Sequence, residues 1–307
     1  IENVKADVFE NRPIYNVTQA LQGTAAGVSV VQNSGKPGQA LNIKIRGNNS
    51  ISSGVDPLYV VDGIQTKDIS GINPDDIVDM TILKDATSAA IYGINGSSGV
   101  VIITTKRAKA NKPQLNFNAY VGVSNKVDNI DVLNLEQYKA LISEINPAWL
   151  NTINDPMYAG INTDWVKKVY RTGVDQNYNV NYAFGNENVK AYTALGYQNV
   201  QGIVSPSDFA RTSAKVNLDA KITDWLKVTS SLNYINTNLN NTADNNAGAQ
   251  GGVILSALTT PTFMPAYGME VKVRPTDGSG NYLNGYKDGQ FALNPFTGGW
   301  ENPVSFM

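Results

Sequence analysis

The sequence predicts an α+β domain over residues 1–108, followed over 109–307 by antiparallel transmembrane β-barrel strands that are incomplete in this chain. Three observations predict it. The first hundred residues alternate short apolar strands with small-residue helical segments closed by glycine. The remainder repeats a two-residue apolar/polar alternation, with short and long connections in turn. No apolar run is long enough for a membrane-spanning helix, although 42% of residues are hydrophobic.

Composition removes several function classes. The 24 basic and 26 acidic residues give a net charge of −2, without a long basic run, so a nucleic-acid partner is not expected. Cysteine and histidine are both absent, which excludes thiol chemistry, disulfides, a Ser-His relay and histidine-ligated zinc or haem within these residues. No metal and no cofactor are expected. Carboxylate-pair glycoside hydrolysis stays formally open, but no convergent acid pair is visible, and no catalytic residue is assigned. The chain opens on Ile1 with no charged, apolar, small-residue leader, which suggests a mature or truncated piece.

Residues 18–31, TQALQGTAAGVSVV, read as a short helix closed by Gly23 and a strand ending near Val31. Pro37-Gly38 turns the chain into a strand that alternates Leu41, Ile43 and Ile45 against Asn42, Lys44 and Arg46. A polar loop from Asn48 to Val55 precedes the strand Leu58–Val61, which Asp62-Gly63 ends as a turn. Pro74 opens a short helical turn whose N-terminal dipole suits Asp75 and Asp76. A strand over Met80–Leu83, a helix over ATSAAIYG ended by Gly93, a turn between Gly96 and Gly99, and a strand over Val100–Thr104 complete the domain. Gly93 to Gly99 reads as a turn and not a phosphate cradle, because no Lys-Ser/Thr pair follows and a strand comes next.

Beyond Pro113, Leu115, Phe117, Ala119, Val121 and Val123 share one face of a first long strand. Tyr178, Val180, Tyr182 and Phe184 oppose Asn177, Asn179 and Asn181 on a second, and a third spans Ala191–Tyr197. A fourth sets Ala214, Val216 and Leu218 against Ser213, Lys215 and Asn217; a fifth sets Leu226, Val228, Leu232 and Tyr234 against Lys227, Thr229, Ser231 and Asn233. GNEN at 185–188 and Thr223-Asp224 are short turns, whereas the first and third connections read as longer polar segments. Tyr178, Phe184, Tyr197, Trp225 and Tyr234 near strand ends suit interfacial aromatic bands.

The first long connection carries structure of its own. Asn134 caps LEQYKALISEI with Gln137 in the capping-box position and Leu135, Tyr138, Leu141, Ile142 and Ile145 on one side. A second helix, DWVKKVYRTG, packs Trp165, Val166, Val169 and Tyr170 and exits at Gly173. Residues 236–252 and the Pro-, Gly- and Asn-rich tail read as an extracellular excursion. Five strands leave an open sheet whose unpaired backbone groups cannot face lipid, so more strands are required.

Eight motifs now stand in order: LQG-x-x-AGV at 21–28, PG at 37–38, IRG at 45–47, PLYVVDG at 57–63, INP-x-DI at 72–77, LKDA at 83–86, IYG at 91–93 and GVVIITTK at 99–106. Their order and spacing resemble the plug domain of SusC/RagA-type TonB-dependent outer-membrane transporters. GYQNVQGIV at 196–204, FARTSAKVNLDAKITDWLKV at 209–228 and ENPV at 301–304 resemble the start of that family's barrel. Residues 125–175 and 238–300 match only loosely, and no TonB box is identifiable before Gln19.

The resemblance implies active import of a nutrient across the outer membrane of a Gram-negative bacterium, with the plug gating the barrel lumen. Its implied partners are TonB with its inner-membrane energising complex, a SusD-like lipoprotein lid, outer-membrane lipid, and an oligosaccharide or peptide substrate. Substrate contacts are expected at Asn48, Asn49, Ser50, Ser52, Ser53, Tyr92 and Asn95, and on the first extracellular loop. Arg46, Asp62, Lys84, Asp85 and Arg107 are expected in plug structure or gating, with Arg46 read first as a structural ion-pair residue. Lys84, Asp85, Lys106 and Arg107 are expected to find barrel partners only in a longer chain. A soluble or surface-attached glycan-binding or adhesin sandwich is the alternative that alternation and Asn-rich loops also allow.

Overall fold

The computed structural model describes residues 1–8, 12, 14–32, 34–39, 41–45, 56–127, 131–241, 252–271, 274–277, 279–281, 283, 287–292 and 302–306. The chain forms two compact units. The first comprises Ile1–Gly122, Val174–Gln201 and Asp208–Leu239; the second comprises Val123–Gly173, Gly202–Ser207 and Asn240–Met307.

In the first unit, β1 (Glu2–Lys5), β2 (Ser29–Val31), β3 (Asn42–Lys44), β4 (Leu58–Val61), β5 (Ile64–Thr66), β6 (Ile77–Leu83) and β7 (Val100–Thr105) build the N-terminal domain. Its five-stranded sheet runs β1-β6-β7-β4-β5, with β4 and β7 parallel and the other pairs antiparallel; β2 and β3 form a separate pair. Val17, Leu21, Ile43, Ile77, Met80 and Ile103, each no more than 1% exposed, form the centre of its core. Full burial of such side chains contributes about 1.5–3 kcal/mol each.

Local chemistry fixes the connections. Asn16 and Gln19 make a reciprocal capping box around a 3₁₀ helix, Val17–Leu21. Asp62 (φ 48°) and Gly63 (φ 91°) occupy the left-handed region, where an Asp-Gly pair makes the two-residue hairpin from β4 to β5. Asp85 caps α1 (Ala86–Ala89), and the following 3₁₀ segment Ala90–Gly96 kinks at Gly93 (φ 59°). β1 and β5 were not expected from the sequence. β6 begins three residues before the expected Met80, because Ile77 continues the pairing with β7.

The wall of the first unit is an antiparallel meander of β8 (Gln114–Ser124), β9 (Gly173–Gly185), β10 (Val189–Gln201), β11 (Asp208–Lys221) and β12 (Lys227–Asn240). Its polarity is inverted relative to a soluble sandwich. On β9, Asn177, Asn179 and Asn181 are 6%, 1% and 6% exposed, while Tyr178, Val180, Tyr182 and Phe184 are 39%, 36%, 42% and 41% exposed. β11 repeats this, burying Arg211, Ser213, Lys215 and Asn217 and exposing Val216 and Leu218. The sequence-derived faces of β9 and β11 are therefore correct, whereas β12 is exposed on both faces. The third connection is a correction: β10 and β11 extend until only residues 202–207 lie between them. Gly173 starts β9 and does not close the preceding helix.

The second unit has its own apolar core. α2 (Leu135–Ile145) carries the expected capping box of Asn134 and Gln137. With α3 (Leu150–Ile153), α4 (Trp165–Val169) and α5 (Gly252–Thr259) it surrounds Trp165, Phe263 and Met264. Trp165 Nε1 donates to the Pro261 carbonyl at 3.0 Å, and the Phe263 ring meets Tyr138 and Tyr158. Ile142 is buried, but Leu141 and Ile145 are 40% and 69% exposed, narrowing the expected apolar face. β12 covers Lys227–Asn240, into the expected excursion; residues 242–251 lie outside the described ones, and α5 is a helix the sequence reading lacked.

No helix among the described residues is long and apolar enough to cross a membrane; the exposed apolar face of β9 is the kind of surface that lipid covers. Val180→Arg in the full-length protein should therefore weaken folding into a bilayer by about 2–4 kcal/mol, the cost of a lipid-facing cation near the midplane. Urea-dependent folding into lipid vesicles measures this; unchanged stability would mean that this face meets water.

Candidate functional site

The inward face of the wall is laid out in rows by strand register. Gln198 of β10 lies opposite Asn177 of β9 and Arg211 of β11; Gly196 lies opposite Asn179 and Ser213; Ala194 lies opposite Asn181 and Lys215; Tyr192 lies opposite Ala183 and Asn217. Period two places these side chains on one face, and burial requires each to find a partner. The N-terminal domain supplies many of those partners.

Arg211, 3% exposed, is the most heavily engaged. Its Nη1 donates to the carbonyls of Ile72 (3.1 Å), Ser70 (3.2 Å) and Tyr15 (3.5 Å), and Nη2 donates to Gln198 Oε1 at 2.8 Å. The planar guanidinium fork suits several acceptors at once, and a lysine there would supply one compact charge. Beside it, Asp75 accepts from Asn177 (3.2 Å) and Asn118 (3.3 Å), and Tyr15 donates its hydroxyl to Asp175. Burial first, then the Asp175 carboxylate, pushes the Tyr15 phenol up, so it stays a donor.

Further along the wall, Lys215 lies 3.7 Å from the Asp62 carboxylate. Asp62 also accepts from the Thr105 N–H (2.9 Å) and hydroxyl (2.5 Å), tying the ends of β4 and β7 together. Tyr192 donates to Asp76 at 2.9 Å, Asn217 donates to the Lys106 carbonyl at 2.9 Å, and Arg107 pairs with Asp219 at 3.0 Å. Burial pushes the Asp76 carboxyl up, and the Tyr192 hydroxyl and Lys215 partly offset it. Gly196 permits a close approach: a Cβ there would lie 2.6 Å from Asn73 Nδ2 and 2.7 Å from Ser213 Oγ.

The expected site residues separate on this frame. Arg46, Asn48, Asn49, Ser50, Ser52 and Ser53 lie outside the described residues. Tyr92 is half-buried against Val60, Leu83, Ala89 and Val100, while Asn95 is exposed. Lys84 pairs with Glu2 and donates to the Ala26 carbonyl; Asp85 accepts from the Ser88 N–H and lies 3.6 Å from the Ile1 amino group. The expectation that Lys84, Asp85, Lys106 and Arg107 find barrel partners only in a longer chain is corrected for Arg107 and for the Lys106 backbone, which meet the wall here. Two are satisfied within the sheet domain, and Asp219 and Asn217 of the wall meet Arg107 and the Lys106 carbonyl. Arg211, Lys215, Tyr192, Tyr15 and Asp175 were missed as contact residues; polar groups at period two on β9–β11 were the sequence signal for all but Tyr15, which lies in the N-terminal domain and had none. Among the described residues, no group of three or more His, Cys, Asp or Glu is arranged to hold a metal ion.

Two consequences are measurable. Arg211→Met in the full-length protein leaves several carbonyls undersatisfied and should cost about 3 kcal/mol of docking, read as faster amide exchange at residues 70–73. Exchange equal to wild type there would remove Arg211 as an anchor. At β1, Lys84 first and the Ala26 N–H second hold the Glu2 carboxyl below its ordinary value. A depressed carboxyl stabilises the fold above its unfolded value and loses that contribution as pH falls through its folded one. Amide exchange at residues 2–5 should therefore rise below about pH 4, and Glu2→Gln should flatten that rise; an identical pH profile for both proteins would contradict it.

Comparison with known proteins agrees with this geometry. Residues 1–100 match the TonB-dependent Receptor Plug Domain family. The TonB-dependent receptor SusC of Bacteroides thetaiotaomicron is 33% identical over 324 residues, covering 99% of this chain and 31% of SusC. The TonB-dependent receptor P26 of Formosa agariphila is 37% identical over 243 residues, covering 76% of this chain and 24% of that protein. The chain thus spans at most about a third of these relatives' length. The RagAB peptide importer in its "open-open" state shares the fold, with a TM-score of 0.77 at 24% identity over 95% of this chain and 36% of that one. The sheet domain docked on inverted-polarity strands, together with these matches, shows that the chain belongs to the SusC/RagA-type TonB-dependent receptors, outer-membrane proteins of Gram-negative bacteria, and carries their plug domain and first barrel strands.

Proposed function

We propose that the whole protein imports a nutrient across the outer membrane, with residues 1–108 as a plug inside a barrel whose wall begins in residues 109–307. The observation that carries this reading is the pairing of a lipid-compatible outer face with an inner face whose buried polar groups bond the plug. A plug held mainly by hydrogen bonds and ion pairs can be released, because water replaces such partners at a net cost of about 0.5–1.5 kcal/mol per hydrogen bond. Energy delivered by TonB from the inner membrane then rearranges the plug and opens the lumen.

The cargo is an oligosaccharide or a peptide, delivered beneath a SusD-like lipoprotein lid. Asn48, Asn49, Ser50, Ser52 and Ser53, with Tyr92 and Asn95, are the proposed cargo contacts, joined by the first extracellular loop. Asp62, Lys84, Asp85 and Arg107 hold the plug in its resting arrangement, and Arg46 joins them as a structural charge. The relatives are receptors and importers and not enzymes, and no catalytic role is assigned here. The exposed apolar faces of β9 and β11 oppose the soluble sandwich alternative, which would bury them.

Deleting the full-length gene should abolish growth on the cognate glycan or peptide, and restoring it should recover uptake of labelled cargo. Undiminished growth on both cargo classes would contradict import, and recovery of the full-length protein from the aqueous phase would favour the sandwich.

A further inference from the structure

Lys215 pairs with one carboxylate of the plug and feels the field of a second. Its ammonium lies 3.7 Å from Asp62 Oδ2, an ion-pair distance and too long for a good hydrogen bond. Asp76 is its next electrostatic partner, and Arg107 opposes both. The two carboxylates are differently occupied. Both Asp62 oxygens already accept from Thr105. Asp76 accepts the Tyr192 hydroxyl through Oδ1, and its Oδ2 takes no hydrogen bond among the described residues.

The two carboxylates are also differently anchored. Asp62 is bonded to β7 through Thr105 and through its own N–H to the Ile103 carbonyl (3.0 Å), bonds that must open with it. It nevertheless sits at the turn of the β4–β5 hairpin, whose outer strand spans only Ile64–Thr66 at the sheet edge, with Ile64 71% exposed. Asp76 is tied to the wall by Tyr192, accepts from the Lys106 N–H at 2.7 Å, and donates its own N–H to the Asn73 carbonyl at 3.0 Å. Tyr192 and Lys215 are diagonal neighbours on adjacent strands, since Tyr192 faces Asn217 and Ala194 faces Lys215. Diagonal side chains on one face are within reach of each other when one is long. Lysine's four-carbon stem lets its charge swing between two seats, which a rigid guanidinium would not.

We propose that Lys215 is a two-seat latch, holding the Asp62 hairpin to the wall in the resting plug and moving to the open acceptor of Asp76 when that hairpin leaves. The second seat matters because breaking a buried ion pair with no replacement strands a charge, which is strongly unfavourable. With Asp76 beside it, the hairpin can detach while the ammonium stays paired. This gives the plug a first moving part, the β4–β5 turn, and a stationary one, the Asn73–Asp76 turn. The inference rests on the plug being a moving gate, the reading proposed above.

The test uses the full-length protein in lipid nanodiscs, with amide exchange read separately over residues 58–66 and 72–77. Asp62→Asn should speed exchange at 62–66 about tenfold while 72–77 stays protected, because Lys215 has moved to Asp76. Asp76→Asn should slow opening at 62–66 about tenfold, because the second seat is gone. In a Lys215→Met background the Asp76→Asn effect on the hairpin should vanish. Equal loosening of both segments by Asp62→Asn would overturn the latch, as would an Asp76→Asn effect that is absent in the Lys215 protein or persists in the Lys215→Met protein. Labelled-cargo uptake by the wild-type protein is scored alongside: its absence would count against import, while the exchange measurements decide the latch independently.

Discussion

The buried guanidinium of Arg211, facing three backbone carbonyls of the plug, expresses the constraint on which the first unit depends. A strand wall with apolar residues outside and amides and charges inside is stable only if both faces are matched. Lipid matches the outer face without hydrogen bonds. The inner face needs a donor or acceptor for each buried polar group, since an unmet one costs about 1–3 kcal/mol. The plug supplies many of these through backbone carbonyls as well as side chains, and wall neighbours such as Asn116 and Asn181 pair with each other. Asn179 Nδ2 and Asp175 Oδ1 have no hydrogen-bond partner among the described residues. The shared bonds make wall and plug specify each other's position.

This matching also explains why the contacts are polar. An apolar interface of similar extent would hold the plug by excluding water, and separating it would expose that surface at about 25 cal/mol per Å². Hydrogen bonds and ion pairs exchange with water at smaller net cost, and water in the lumen is the natural replacement. Gly196 adds a steric term: its missing side chain makes room for Asn73, so register is set by shape as well as by charge. In the second unit the opposite choice is made, with Trp165, Phe263 and Met264 forming a dry core around short helices.

Much of this was legible in the sequence because period two and capping chemistry are local. Asn177, Asn179 and Asn181 against Tyr178, Val180 and Tyr182 announced both faces of β9 directly, and Asn134 with Gln137 announced the start of α2. β1 was not legible, because its four residues bury only Val4 and gain their order from β6, far along the chain. β5 was hidden for the same reason, being three residues held at an edge. The plug–wall contacts were invisible because Asp62 and Lys215, Arg107 and Asp219, and Tyr192 and Asp76 are each more than one hundred residues apart. Asp62 and Asp76 read as ordinary turn carboxylates, and they are that as well; only the fold brings the wall to them.

The most direct measurement places nitroxide labels one at a time at positions 177 to 184 of the full-length protein in a bilayer and compares relaxation by oxygen, which enriches in lipid, with that by a polar nickel chelate. The inverted wall predicts strong oxygen relaxation at 178, 180, 182 and 184, with protection from both agents at 177, 179, 181 and 183. The opposite alternation, or accessibility to the nickel chelate on the even-numbered face, would contradict a lipid-facing wall closed over a docked plug.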